Sequence, residues 1–227
     1  MLGTLCPFSR SRSTVSVACR GQRALPVGAS AWSAQHREAY SNGQGASTNL
    51  FADTARTEPG QGQFQGWRRL AAAFAEGADV LAWLDPWARR NLGRLADREA
   101  ARITAAAGSA LIHGDLRADN VLLTDDRVMV VDWPWAAVGA SWCDIVLMGP
   151  SVITQGTPDA MRLPDQHLFA RAANPDDVTS VLIAVTGYFL RQSIHTPPPG
   201  LPAVRGFQRA QGEAALDWVR ERTRWRW

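Results

Sequence analysis

The chain has 227 residues, of which 46% are hydrophobic and 20% are charged, a balance typical of a soluble globular protein with one large or two small domains. All 24 basic residues are arginines and the net charge is +3, but the positive excess lies in residues 1–62, so it does not indicate a nucleic-acid-binding surface on the remainder. No apolar run approaches the ~20 residues of a membrane span, so we expect no membrane partner.

Cysteine usage indicates the redox compartment. Cys6, Cys19 and Cys143 are an odd number and lack the spacing of a zinc site or a disulfide framework. Cys143 lies in an apolar stretch, which favours a buried, inert thiol. We therefore expect a reducing, cytoplasmic location.

Residues 1–62 differ in character from the rest of the chain. They show neither helical nor strand periodicity and are rich in Ser, Gly, Gln, Arg and Ala. We predict that this segment is mostly disordered or a non-native leader. Its Arg- and Ser-rich opening also has the composition of a transit peptide, without the amphipathic period of one. The folded domain is predicted over residues 63–227.

The first predicted elements of this domain are helices. Apolar residues at helical spacing indicate a short helix: Phe64, Trp67, Leu70 and Phe74. Asp85 followed by Pro86 is typical of an N-cap and first helical position, and predicts a continuous helix to about Ala106, which Gly108 ends.

A small β element follows. Three short apolar runs, at 110–112, 121–123 and 128–131, are separated by polar turns, and residues 124–127 predict a hairpin between the last two. Further helices are predicted at about 142–152, 164–172, 174–194 and 202–222, with a rigid Pro-rich break at 197–200. The predicted class is α+β, mainly helical.

One segment carries a chemical signature. Residues 113–120 read His-Gly-Asp-Leu-Arg-Ala-Asp-Asn, which has the form H-x-D-L-x-x-x-N, and a strand ending at Asp132 follows. This pairing is typical of the catalytic loop and metal-binding acid of protein kinases. A transferring phosphoryl group is surrounded by anionic oxygens, so its transfer depends on positioning and on neutralisation by Mg²⁺.

The residue types indicate the role of each position. Magnesium prefers hard oxygen ligands, which Asp132 and the amide of Asn120 offer. Asp115 is left to accept the proton of the attacking hydroxyl. His113 is predicted to support the loop through hydrogen bonds rather than to take part in catalysis.

The neighbours of the motif offer a substrate surface. Arg117 lies close enough to Asp115 in sequence to meet an anionic substrate group. Trp133 and Trp135 flank Asp132 and could form an apolar or cation-binding wall, although core packing is expected for at least one of them.

The motif, together with Val130-Val131-Asp132-Trp133-Pro134-Trp135, Gly139 and Trp142-Cys143-Asp144-Ile145, resembles the aminoglycoside phosphotransferase and choline kinase family over residues 63–227. The resemblance implies the C-terminal catalytic lobe of a protein-kinase-like fold, with Asp115 as base and Asn120 and Asp132 on Mg²⁺. It implies ATP as donor, a small-molecule hydroxyl as acceptor, and Asp144 as a buried brace of the loop.

The chain departs from that family in one respect. Members carry an N-terminal lobe in which a strand Lys grips the phosphates, and this chain contains no Lys. One hypothesis is therefore an ATP-dependent kinase. The alternatives are an inactive remnant or binding module without nucleotide affinity, or a partner chain that supplies the small lobe. The acceptor, the choice of ATP or GTP and the oligomeric state stay open.

Overall fold

The structure is a computed structural model that describes residues 64–77, 82–133 and 135–226. The chain divides into two units, Met1–Gly45 and Ala46–Trp227, and every described residue lies in the second. The prediction of a disordered or non-native leader at residues 1–62 lies outside the described residues.

Helices and short strands alternate along the described part of the chain. In order they are α1 (Gly66–Ala75), α2 (Pro86–Arg90), α3 (Leu92–Ala100), α4 (Arg102–Ala105), β1 (Ala110–Ile112), β2 (Val121–Leu123), β3 (Val128–Val130), β4 (Ala137–Gly139), α5 (Cys143–Thr154), α6 (Leu163–Gln166), α7 (Pro175–Ser193) and α8 (Val204–Thr223). Short 3₁₀ turns occupy Ala118–Asn120 and Pro158–Arg162. This composition confirms the predicted α+β class.

The core is built around α7. Asn174 caps this helix as predicted, because its side-chain oxygen accepts a 2.9 Å hydrogen bond from the backbone N–H of Asp176. Apolar residues then occupy most faces of α7, and a helix that is apolar all round must be covered on every side. The covering elements are α1, α3, α4, α5 and α8.

Helices α1 and α7 cross in backbone contact. A Cβ at Gly66 would lie 2.0 Å from the carbonyl oxygen of Gly187, so only glycine fits at this crossing. Next to it, the indole N–H of the fully buried Trp67 donates a 2.8 Å hydrogen bond to the carbonyl of Ile183. The crossing therefore joins the two helices by both packing and a hydrogen bond.

The predicted continuous helix from Asp85 to Ala106 is wrong in one respect. Its start is confirmed, because the Asp85 carboxylate accepts the backbone N–H groups of the first helical turn. The helix is interrupted twice, at Asn91 and at Ala101. At Asn91 the side chain and the backbone N–H both donate to the carbonyl of Trp87 at 3.0 Å, and at Ala101 the backbone N–H donates to the carbonyl three residues back, as in a 3₁₀ turn.

The β element consists of two separate antiparallel pairs. The β2–β3 hairpin is confirmed, and it is closed by a 2.9 Å bond from the Thr124 N–H to the Arg127 carbonyl. The third predicted run ends at Val130, before residue 131. The sequence did not predict β4, which pairs with β1 in the register Ala110↔Gly139, because three residues without alternation carry no strand signal.

The other predicted helices differ from the structure mainly in length. Helices α5, α7 and α8 lie within two residues of their predicted bounds, whereas the helix predicted at 164–172 is limited to Leu163–Gln166. It ends there because His167 adopts an extended backbone conformation. None of the described helices combines the length and the apolar character needed to cross a membrane.

Glu99 on α3 is a charged side chain at the centre of this core. It is fully buried, and its carboxylate accepts the backbone N–H groups of Trp67 at 3.1 Å and Arg68 at 3.0 Å, in the first turn of α1. Burial raises the pKa of Glu99 to about 7, although these hydrogen bonds and the nearby Arg102 act in the opposite direction. The carboxyl group of Glu99 therefore caps the start of α1. Because its pKa is shifted, it also makes the free energy of unfolding depend on pH.

The first prediction concerns this link. Because the folded-state pKa of Glu99 lies above its ordinary value of 4.5, its contribution to stability is present below that value and is lost as pH rises through about 7. We expect the free energy of unfolding to fall between pH 5 and pH 8 by at most about 3 kcal/mol from this group. Denaturant unfolding across this range measures the effect.

The control separates Glu99 from the remaining titratable groups. Glu99→Gln should remove this part of the pH dependence, whereas the same change at the exposed Glu76, directly after α1, should preserve it. Parallel stability–pH curves for wild type and Glu99→Gln would show that the buried carboxyl does not titrate in this range.

Candidate active site

The motif residues lie where the two strand pairs meet. Residues 113–117 connect β1 to the 3₁₀ turn, and β2 and β3 then return the chain so that the Val131 N–H donates to the Asn120 carbonyl at 2.9 Å. The backbone of Asp132 therefore follows directly after the residue that pairs with Asn120. The hairpin brings together two parts of the motif that are separate in sequence.

Asp144 joins the loop to α5. One carboxylate oxygen accepts the backbone N–H of His113 at 2.7 Å, and the other accepts that of Gly114 at 2.9 Å. Asp144 lies in the first turn of α5, where the helix dipole favours a negative charge. A charge-assisted pair of bonds thus holds the loop backbone next to this helix.

His113 is buried and connects the loop to the segment that directly follows β3. Its Nε2 lies 2.9 Å from the Val131 carbonyl, which can only accept, so this nitrogen carries the proton. Its Nδ1 accepts the backbone N–H of Asp115 at 3.2 Å. Both bonds form when the ring is neutral and its proton is on Nε2. Through them His113 supports the backbone of the motif loop.

Gly114 adopts a conformation that other residues rarely take. Its φ is +81°, and a Cβ at this position would lie 2.5 Å from the carbonyl oxygen of Trp135. Two constraints therefore require glycine here, namely the left-handed backbone and the close approach of the segment before β4.

Asp115 is half-buried in the loop. Its backbone carbonyl accepts the side-chain N–H of Asn120 at 2.8 Å, which ties the two ends of the motif together. Burial raises the pKa of the Asp115 carboxyl; Arg117 and His113 act to lower it, and the negative charges of Asp119 and Asp132 act to raise it. The Asp132 carboxylate is therefore near enough to influence Asp115.

Asn120 and Asp132 offer two oxygen ligands. Because the Asn120 amide nitrogen donates to a carbonyl, its oxygen is the atom left for a metal ion, and the side chain is buried and fixed. Asp132 is exposed and has φ +61°, an uncommon conformation for a residue other than glycine. It lies two residues after β3, in a short connection rather than at the strand end that the sequence predicted.

The three residues predicted as a substrate wall lie in different settings. Arg117 lies against the loop acids, with its Nε 3.1 Å from Asp115 Oδ1 and its terminal nitrogen 3.2 Å from Asp119 Oδ2. The Nε contact is an ion pair without the alignment of a hydrogen bond. The Trp133 ring is tilted by 55° against the His113 ring, with the ring centroids 4.6 Å apart, and its indole N–H donates to the Val130 carbonyl. Trp135 packs partly against the core.

Sequence reasoning missed two partners of Arg117. Its guanidinium lies 5.2 Å from the ring of Phe207, in the first turn of α8, and its pairing with Asp119 was not expected. The spacing of Arg117 and Asp119 was a local signal for the second contact. No local signal could have indicated Phe207, because it is distant in sequence.

Cys143 lies next to Asp144 and is a free, fully buried thiol, as predicted. Burial raises its pKa to about 12, and the neighbouring Asp144 charge acts in the same direction. Thiolate chemistry is therefore excluded at this position near neutral pH.

The comparison with protein families decides the assignment. The model of the phosphotransferase enzyme family matches residues 30–176. The chain belongs to this family. The match confirms the predicted resemblance, covers every site residue that the sequence predicted and begins inside the segment 1–62. No curated protein and no solved structure matches the chain.

The second prediction tests the loop geometry of this phosphotransferase. Gly200 has the same φ of +81° as Gly114 but would place a Cβ in open space. We expect Gly200→Ala to cost about 1 kcal/mol of unfolding free energy, from backbone strain alone. Gly114→Ala should cost a further 1–3 kcal/mol, roughly the cost of overpacking, because the new methyl meets the Trp135 carbonyl.

Chemical denaturation of the two variants measures this difference. Equal destabilisation of Gly114→Ala and Gly200→Ala would show that residues 114 and 135 are not in close contact.

Proposed function

We propose that this phosphotransferase moves the γ-phosphoryl group of ATP to a hydroxyl of a small molecule, with Asp115 as the base and Asn120 and Asp132 as Mg²⁺ ligands. The domain is then the C-terminal catalytic lobe of a protein-kinase-like fold. One observation carries the proposal. The Asn120 side-chain N–H donates to the backbone carbonyl of Asp115 at 2.8 Å, and the charge of Asp132 is close enough to raise the pKa of Asp115. The family match supports the reaction class.

Asp115 is suited to the role of base. It would accept a hydrogen bond from the acceptor hydroxyl and orient its oxygen towards the γ-phosphorus. The new bond joins this oxygen to phosphorus as the bond to the β-phosphate oxygen breaks, so that ADP leaves with the electron pair. The hydroxyl proton passes to Asp115 and then to solvent. The raised pKa of Asp115 makes its carboxylate a stronger base than that of an ordinary aspartate.

The donor set fits a magnesium ion. Asn120 and Asp132 would hold it through a fixed amide oxygen and an exposed carboxylate, and magnesium commonly takes one or two such ligands with phosphates and water. Bound there, Mg²⁺ would neutralise charge on the phosphates. In residues 64–77, 82–133 and 135–226 no group of three His, Cys, Asp or Glu side chains could hold a metal alone. Phosphate oxygens and water would complete the coordination of an ion held by Asn120 and Asp132.

The other predicted residues support this role. The bonds of His113 and Asp144 would hold the loop backbone in place during turnover. Trp133 and Trp135 would line the acceptor site. Arg117 would contact an anionic acceptor that displaces its ion pairs with Asp115 and Asp119. An amino sugar, another hydroxylated metabolite and a choline-like alcohol are all acceptors of the right chemical class.

The third prediction concerns the base. Asp115→Asn should lower the rate of acceptor-dependent ADP release by about 100-fold or more, because general base catalysis contributes on this scale. The matched control is Asp125→Asn in the exposed β2–β3 turn, which should leave the rate unchanged. A coupled ADP-release assay over candidate alcohols measures both variants. Undiminished activity of Asp115→Asn would remove it from the mechanism.

A second candidate function is a remnant or binding module that keeps this fold without nucleotide affinity. The observation that favours it is the complete absence of Lys from the chain, because the phosphate-gripping residue of related kinases is a Lys. The two hypotheses differ in whether Mg²⁺-ATP binds.

The fourth prediction separates them. Calorimetric titration with Mg²⁺-ATP should show micromolar binding, weakened about tenfold or more in Asp132→Asn because a charged metal ligand is lost. Asp125→Asn should bind like the wild type. A titration without heat for the wild-type chain would support the binding-module hypothesis instead.

A further inference from the structure

Three helices bring basic side chains together away from the motif loop. Arg191 near the end of α7 and His195 just after it lie one turn apart, and an Arg191 terminal nitrogen is 2.8 Å from His195 Nε2. A guanidinium nitrogen always donates, so His195 accepts and is neutral in this arrangement. The pair places a permanent positive charge directly beside an imidazole.

Arg205 adds a second positive charge from the first turn of α8. Its Nε and a terminal nitrogen donate to the carbonyl of Thr196 at 3.2 Å and 2.9 Å, and its other terminal nitrogen donates to Gln208 at 2.8 Å. These bonds hold the connection from α7 to α8 against the helix. Arg205 is half-buried, so its position is constrained by the fold.

Arg69 on α1 adds a further positive charge near this group. Its charge lowers the pKa of Arg191 and acts on His195 together with the charges of Arg191 and Arg205. Burial is the largest cause of both lowered pKa values, and every other cause is a positive charge. Arg191, His195 and Arg205 therefore form one cluster, which we call the basic cluster, and the charge of Arg69 acts on it from α1.

Several arginines elsewhere in the described chain have an acidic partner. Arg98, Arg127, Arg209 and Arg220 each form an ion pair with an Asp or Glu. Within the described residues, no carboxylate lies at ion-pair distance from Arg191 or Arg205. Like charges held together in half-buried positions cost free energy, and an anion that binds between them recovers it.

We propose that the basic cluster binds the phosphate group of a small anionic molecule. Guanidinium groups donate several hydrogen bonds in a fixed plane, which matches the oxygens of a phosphate. A phosphate dianion also offsets more of the clustered charge than a single carboxylate. The neutral imidazole of His195 can take up a proton when an anion binds, because the negative charge favours the protonated form. This site is independent of the proposed catalytic function.

The fifth prediction uses sulfate, which stands in for a phosphate dianion and does not titrate between pH 5 and pH 8. Sulfate should shift the imidazole NMR signal of His195 saturably and raise its pKa, relative to chloride at equal ionic strength. The signal is assigned by its loss in His195→Gln. Acetate should bind more weakly, and equal or tighter acetate binding would contradict a phosphate ligand.

The variants identify the groups that bind sulfate. Arg191→Gln should weaken binding about tenfold, the cost of one charge-assisted hydrogen bond. Arg205→Gln should weaken binding by a similar factor. Thermal unfolding of this variant shows whether loss of the hydrogen bonds to Thr196 also destabilises the fold. Arg171→Gln, an exposed arginine outside the cluster, should bind like the wild type. Equal affinity of Arg191→Gln and wild type, or the same shift in chloride, would overturn the proposal.

Discussion

The candidate site depends on the hydrogen bonds between one carboxylate and two backbone amides. Asp144 accepts the N–H groups of His113 and Gly114, and this contact joins the first turn of α5 to the start of the motif loop. Pairing of β1 with β4 brings the two segments into reach. The left-handed turn at Gly114, the tautomer of His113 and the position of Asp115 all follow from a loop that is held at its first residues.

The residue types of the candidate site and their spacing lie in short segments, so the sequence alone indicates them. The loop 113–120 and Asp132 were assigned from residue type and spacing, and the helix caps at Asp85 and Asn174 were found from the same kind of local signal. Several contacts made across the fold could not be predicted. Phe207 beside Arg117, β4 beside β1 and Glu99 at the start of α1 each join residues far apart in sequence.

Burial raises the pKa of two acidic groups of this domain that lie in different surroundings. Glu99 and Asp115 both have raised pKa values, with burial as the largest cause, but Glu99 lies among backbone donors in the core whereas Asp115 lies beside other charges in the loop. The first arrangement couples folding to pH, and the second suits a group that exchanges protons. Side-chain type alone does not distinguish them, since the difference arises from the neighbours that the fold supplies.

The backbone contact between Gly66 and Gly187 limits how the domain can move. Helices that pack through long side chains can slide past one another as rotamers change, which is the basis of shear motion in many enzymes. At this crossing the two backbones touch directly, so no change of rotamer between them lets α1 slide over α7. We expect the domain to adjust to a ligand in other elements, such as the connection from α7 to α8 and the segment after β3 that holds Asp132.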